Sequence, residues 1–135
     1  MNKTQQNKDV VQKAFEQGLN KRNFELLKEC IADDFTGVQG KKGSAAFYEP
    51  ILPLIKSFPD IQWTIDELVA EGDKVVIHWK WLGTQTGPFN NVFTGKTVTN
   101  EGMATFTVKE GKISSAQVLT DRLGFLQALD ILPAD

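Results

Sequence analysis

Up to Phe58 the apolar positions recur at helical spacing, and from Ile61 to Thr120 they alternate with polar ones. In the first stretch Val10, Val11, Ala14, Phe15 and Leu19 fall on one stripe, and Asn7 is placed to cap it by accepting an orphan amide. Asn23 predicts a second cap, for a short helix that turns Leu26, Leu27, Cys30 and Ile31 inward and ends at Ala32-Asp33-Asp34. Phe47, Ile51, Leu54, Ile55 and Phe58 make a third stripe, interrupted by Pro50 and Pro53. Proline clashes with the preceding turn but is tolerated in a first turn, so the pattern predicts a kinked helix or one that starts with Pro50.

The second stretch reads as antiparallel strands joined by tight turns. Ile61, Trp63 and Ile65 open one strand, and Glu71-Gly72-Asp73 supplies turn chemistry before Lys74 to Leu82. There the odd positions Val75, Ile77, Trp79 and Trp81 are all apolar, whereas Val76, His78, Lys80 and Leu82 are mixed, so the odd face should meet the core. A further strand from about Thr97 to Val108 carries Val98, Ala104, Phe106 and Val108 on one face. Glu110-Gly111-Lys112 then turns the chain into Ile113 to Thr120, and Leu123, Leu126, Gln127 and Leu129 fit a terminal helix beginning after Asp121. Helices followed by an antiparallel meander predict an α+β layer fold with the helices on one sheet face.

Composition narrows the class of function. A chain of 135 residues, 41% hydrophobic, predicts a single domain over 1–135 with a core that needs no staples. Fifteen Lys and Arg against seventeen Asp and Glu leave a net charge of -2, which argues against a nucleic-acid partner. One cysteine, Cys30, and one histidine, His78, cannot form an intrachain disulfide or a four-ligand zinc site. Met1 to Lys13 is polar and no long apolar run follows, so the expectation is a cytoplasmic protein without a membrane partner. There is no Gly-x-Ser-x-Gly elbow, Cys30 falls on an apolar stripe, and Gly83-Thr84-Gln85-Thr86-Gly87-Pro88 lacks the Gly-Lys-Ser/Thr of a phosphate loop.

Several short strings fall in a telling order. Phe58-Pro59-Asp60 precedes a strand and Glu71-Gly72-Asp73-Lys74-Val75-Val76 turns into the next. Gly83-Thr84-Gln85-Thr86-Gly87-Pro88-Phe89, Thr94-Gly95-Lys96, Gly111-Lys112-Ile113 and Asp121 with Leu123-Gly124 follow. The series resembles the SnoaL-like polyketide cyclases, or ester cyclases, of the nuclear transport factor 2-like superfamily, over nearly the whole chain. The resemblance implies a cone-shaped barrel, a curved and mainly antiparallel sheet wrapped around N-terminal helices, with an apolar pocket for a hydrophobic small molecule. It also implies a homodimer.

On the same resemblance, Asp121 is the catalytic candidate: a general acid/base that removes a proton beside activated carbonyls in an intramolecular aldol reaction, with no metal or cofactor. Such a carboxylate needs an apolar pocket, since desolvation raises its basicity toward neutral pH. Asp121 is equally suited to cap the following helix. Gln85 stands where cyclising relatives carry His, Leu119 where another His is found, and Gln117 where Trp is frequent. Glutamine donates hydrogen bonds but transfers no proton near pH 7. Gln85 and Gln117 are therefore expected to line the pocket as orienting groups, the alternative for Gln85 being a loop residue bonded to backbone. Trp79, Trp81, Phe89 and Phe93 are candidates for an aromatic wall or for plain core. Asn100 lies on an apolar face, where a buried amide needs a partner, and Tyr48 could reach the pocket from the bent helix. His78 alternates away from Trp79 and Trp81 and is left outside the site. Three functions stay open: a cofactor-independent cyclase or isomerase, a non-catalytic binder of hydrophobic molecules, and a dimerisation module.

Overall fold

β-Branched and aromatic residues at alternate positions build four antiparallel strands, paired in chain order: β1 (Gln62–Glu71), β2 (Lys74–Thr84), β3 (Thr97–Lys109) and β4 (Lys112–Thr120). The structure is a computed structural model that describes residues 2–37, 40–89 and 92–129. Trp63 faces Trp81 across β1 and β2, and Trp81 faces Asn100 across β2 and β3. The odd residues of β2, Val75 to Trp81, are all buried as the alternation predicts.

Two irregularities bend the sheet. Pairing shifts between Ile65 and Glu67, so that Asp66 is an extra residue in β1. That bulge reverses the phase: Trp63 and Ile65 pack on the core before it, Leu68 and Ala70 after it, and Val69 is left 61% exposed. A second shift lies between Thr107 and Val108. Gly102 in β3 is required by close approach, because a Cβ there would overlap the Leu119 carbonyl oxygen and the Trp79 indole. The ring therefore lies across the bare backbone of its neighbour.

Helices cover the concave face. α1 (Lys3–Lys13) is capped by Asn2, whose Oδ1 accepts from the Gln5 amide at 2.8 Å, not by Asn7. Asn7 instead lies inside the helix, buried, and donates to the Gly72 carbonyl in the β1–β2 turn at 3.2 Å. Over Ala14–Leu19 the helix widens to π geometry, an arrangement often found beside functional sites. Asn20 then grips β1 as a strand would: its amide donates to the Trp63 carbonyl at 2.8 Å and accepts from the Trp63 amide at 2.7 Å. Asn23 caps α2 (Phe24–Cys30) as expected, and the chain beyond it pairs with the edge of β4, Ala32 donating to the Ile113 carbonyl at 2.9 Å.

The bend predicted at the two prolines is a break. α3 (Ser44–Tyr48) passes through a 3-10 turn, Glu49–Ile51, into α4 (Leu52–Ser57), with a proline near the start of each of the last two segments. α5 (Arg122–Ala128) closes the described chain and buries Phe125 and Leu129. Leu123, expected on the inward stripe, is 60% exposed because Phe125 takes the inward direction. Helices wrapped by a curved antiparallel sheet are the α+β cone expected from the sequence. No described helix is long and apolar enough to cross a membrane.

Candidate functional site

The concave sheet and the helices enclose a cleft of about 920 Å³. β1 and β2 supply Trp63, Trp79 and Trp81 to it, all three tryptophans of the chain. β3 adds Asn100, Ala104 and Phe106; the widened turn adds Phe15 and Leu19; α5 adds Phe125. Phe125 is the hub of one wall, edge-on to Trp81 with ring centroids 5.7 Å apart and to Phe89 at 5.2 Å. Such T-shaped contacts fix ring orientation as well as bury area. Phe15 meets Phe47 and Phe106 in the same way at 6.4 and 6.0 Å. Trp79, Trp81 and Phe89 all line the cleft, whereas Phe93 is 60% exposed and is not among its lining residues.

A few polar residues line this cleft: Thr36, Asn100, Thr120 and Arg122. Asn100 is 8% exposed, its side chain makes no hydrogen bond among the described residues, and its polar atoms are not sealed off from the cleft. Gly102 pairs with Thr120, and the ladder continues through Asp121, whose amide donates to the Glu101 carbonyl at 2.9 Å. The next residue, Arg122, opens α5. Thr120 and Arg122 both border the cleft, and no Asp, Glu or His is found among the described residues that line it.

Asp121 itself lies on the other side. Its Oδ1 accepts from the Gly124 amide at 3.0 Å, capping α5, and the residue is exposed. It borders a second groove of about 480 Å³ on the outer sheet face, with Glu67, Val69, His78, Glu101, Met103 and Leu119. A side chain at residue 124 would overlap the Asp121 carboxylate, so Gly124 is what leaves room for the cap. His78 belongs to this outer groove, its Nε2 3.2 Å from Glu101 Oε1, in keeping with the alternation.

Three residues expected in the pocket are not among those lining the cleft. Gln85 is 1% exposed but committed to its own loop, donating to the Val92 carbonyl and accepting from the Thr94 amide and hydroxyl, each at 2.8 Å. The chain leaves the sheet at that point, so the odd-position alternation no longer aims inward. Gln117 lies opposite Thr105 and is exposed on the outer face, because Ala116 and Val118 take the inward positions of β4. Tyr48 stacks on Phe24 with centroids 4.8 Å apart, which draws its ring away from the cleft. Cys30 is 2% exposed, and burial pushes its thiol pKa up.

Sequence reading missed Arg122, Phe125 and Phe15 as site residues. The signal for Arg122 was its place directly after Asp121, where the last strand passes into the last helix. Among the described residues no three His, Cys, Asp or Glu side chains come together as a metal site.

Comparison with known proteins gives consistent results. The family model for SnoaL-like polyketide cyclase matches residues 9–129. No curated protein matches the chain. Among solved structures, a candidate polyketide cyclase from Acidithiobacillus ferrooxidans is 25% identical with a TM-score of 0.83, over 96% of this chain and 98% of that one. A candidate SnoaL-like polyketide cyclase from Jannaschia is 23% identical with a TM-score of 0.83, over 98% of each chain. IdmH, a candidate polyketide cyclase from Streptomyces antibioticus, is 22% identical with a TM-score of 0.81, over 93% of this chain and 99% of that one.

Proposed function

The chain belongs to the SnoaL-like polyketide cyclase family, and from that premise we propose that its aromatic cleft holds a flat, hydrophobic, carbonyl-bearing small molecule. One observation carries the reading: an aromatic-walled cleft of about 920 Å³ whose buried amide, Asn100, is left without a partner in the protein. That volume is in the range of small-molecule sites, and their usual composition is an apolar wall with a few polar groups that fix orientation. The Asn100 amide keeps free hydrogen-bonding capacity in the cleft, and a carbonyl oxygen accepts from its N–H directly. The described lining offers binding and orientation, with no side chain that exchanges a proton near neutral pH.

A second reading, enolisation by Asp121, is favoured by one observation: both of its chain neighbours, Thr120 and Arg122, border the cleft. The carboxylate is held outside by a single hydrogen bond to an exposed helix start. Turning the side chain away from Gly124 would let it take an α-proton while Asn100 donates to the enolate oxygen. The enolate carbon then bonds to a second carbonyl carbon, and the new alkoxide takes the proton back from Asp121. No metal or cofactor is needed to balance that step. The expected homodimer is carried forward as a proposal too, supported by the exposed Val69, Met103 and Leu119 on the outer face.

The test uses 2-acetylnaphthalene, a flat ketone with exchangeable methyl protons. Because all three tryptophans line the cleft, binding should quench their emission, in the native protein and in Asp121→Asn alike. Ketone NMR in deuterium oxide separates the readings. Methyl exchange accelerated by the native protein and lost in Asp121→Asn establishes enolisation; quenching without exchange leaves binding alone; no quenching and no ligand-observed contact with the protein sinks both.

A further inference from the structure

We infer that the ligand of the aromatic cleft is an anion, with its charged oxygen held by Asn100 and Arg122. This deepens the reading of the cleft as a ligand site and rests on it.

Arg122 is the one charged side chain among the described residues that line the cleft. It is also without a hydrogen bond or ion pair among the described residues, although the chain carries more acidic than basic groups. Its immediate neighbour Asp121 does not neutralise it, since that carboxylate is turned to the Gly124 amide and faces the outer groove. Glu101, the residue after Asn100, also points outward and lies against His78. The acidic groups of this region thus line one side of the sheet edge, and the single cation borders the other.

The cation and the free amide lie one residue beyond the Asp121–Glu101 hydrogen bond, each on its own segment of the chain. β3 and β4 pair Gly102 with Thr120, the Asp121 amide bonds the Glu101 carbonyl, and the next residue on each segment, Arg122 at the start of α5 and Asn100 in β3, lines the cleft. Both groups are hydrogen-bond donors toward an oxygen: the amide through its NH2, the guanidinium through its planar fork. A carboxylate accepts from both at once, whereas a neutral carbonyl makes less of the charge. The cleft walls include Trp81 and Phe125, which would carry the apolar body of the same molecule.

The proposal is tested with two ligands of one shape, 6-acetyl-2-naphthoate and 6-acetyl-2-naphthamide, titrated into the native protein, Arg122→Gln and Arg122→Lys at pH 7 and low salt. Arg122 is exposed at the start of α5, so neither variant removes buried packing. The native protein should bind the carboxylate roughly three- to tenfold more tightly than the amide, a range set by a partly exposed charge-assisted contact. Arg122→Gln should bind both equally, and Arg122→Lys should keep most of the preference. Equal binding by the native protein overturns the proposal while leaving the cleft reading intact, as does a preference that survives in Arg122→Gln. Failure of both ligands to bind the native protein takes down the cleft reading and this proposal together.

Discussion

The two faces of the sheet are made from alternate residues of the same strands, yet they have opposite characters. Over β2 and β3 the inner face is enclosed, Ile77, Trp79, Trp81, Ala104 and Phe106 each being at most 5% exposed, and it opens at β4, where Val118 is 55% exposed. The outer face leaves Val69, Met103 and Leu119 at 61, 51 and 76% exposure, rimmed by Glu67, Glu101 and Asp121. Alternation sorts residues to two faces, but what covers each face decides its chemistry. Helices and α5 turn the inner side into a cleft with mainly apolar walls and a few polar groups. Carboxylates and the lone histidine collect on the uncovered side, where water solvates them. Asp121 and Arg122, adjacent in the chain, sit on either side of that divide.

The sharpest way to break the contrast is to cut one large side chain from each face. Phe106→Ala removes a ring that is 1% exposed and touches Phe15, so a loss of about 3–5 kcal/mol is expected. Leu119→Ala on the outer face should stay within about 0.5 kcal/mol. Urea denaturation of both variants reads the difference, and comparable losses would mean that the outer face is as firmly packed as the inner. Gly102→Val comes next, at about 1–3 kcal/mol, because its side chain meets the Trp79 indole and the Leu119 carbonyl, neither of which can move freely. A tolerated valine would show that the sheet does not need the close approach that joins its two faces at this point.

The inner face was legible in the sequence to the extent that alternation is a local rule. Period two placed Val75 to Trp81 on the core side of β2, and the turns at Gly72 and Gly111 fixed the meander. Alternation alone does not say which face is inside, and Gln117, expected in the pocket, lies on the outer one. In β4 that depends on how the strand lies against β3 and on the helices that cover it. The extra residue at Asp66 and the π turn at Ala14–Leu19 were equally out of reach, since each is a single-residue change of phase that tertiary packing imposes. Gln85 shows the limit most plainly. It is buried, as a pocket residue would be, yet its amide is consumed by Val92 and Thr94, which the sequence gives no means of pairing with it.

A smaller effect separates the two roles of Asp121. If the carboxylate serves only as the cap of α5, Asp121→Ala should cost about 1 kcal/mol, and Asp121→Asn only a few tenths, since Asn caps a helix as well as Asp. Thermal or urea unfolding measures both. Asp121→Asn is thus a clean probe of chemistry: it keeps the hydrogen bond to Gly124 and removes the capacity to take a proton. Ketone exchange that vanishes in a variant of near-native stability would move Asp121 from the outer face's account to the cleft's.

The smallest change in folding is expected where the change in assembly is largest. Leu119→Lys puts a charge on a side chain that is 76% exposed and surrounded by Met103 and Val69, so the fold should hold within about 0.5 kcal/mol. If the outer face joins two copies, that lysine has to be desolvated at the contact, and a buried unpaired ammonium costs several kcal/mol, more than a modest interface supplies. Sedimentation equilibrium should then report a dimer for the native protein and a monomer for the variant, at unchanged unfolding midpoint once the concentration dependence is removed. A native monomer would instead leave the outer groove open to solvent and end the symmetry between a face that binds a small molecule and a face that binds its own copy.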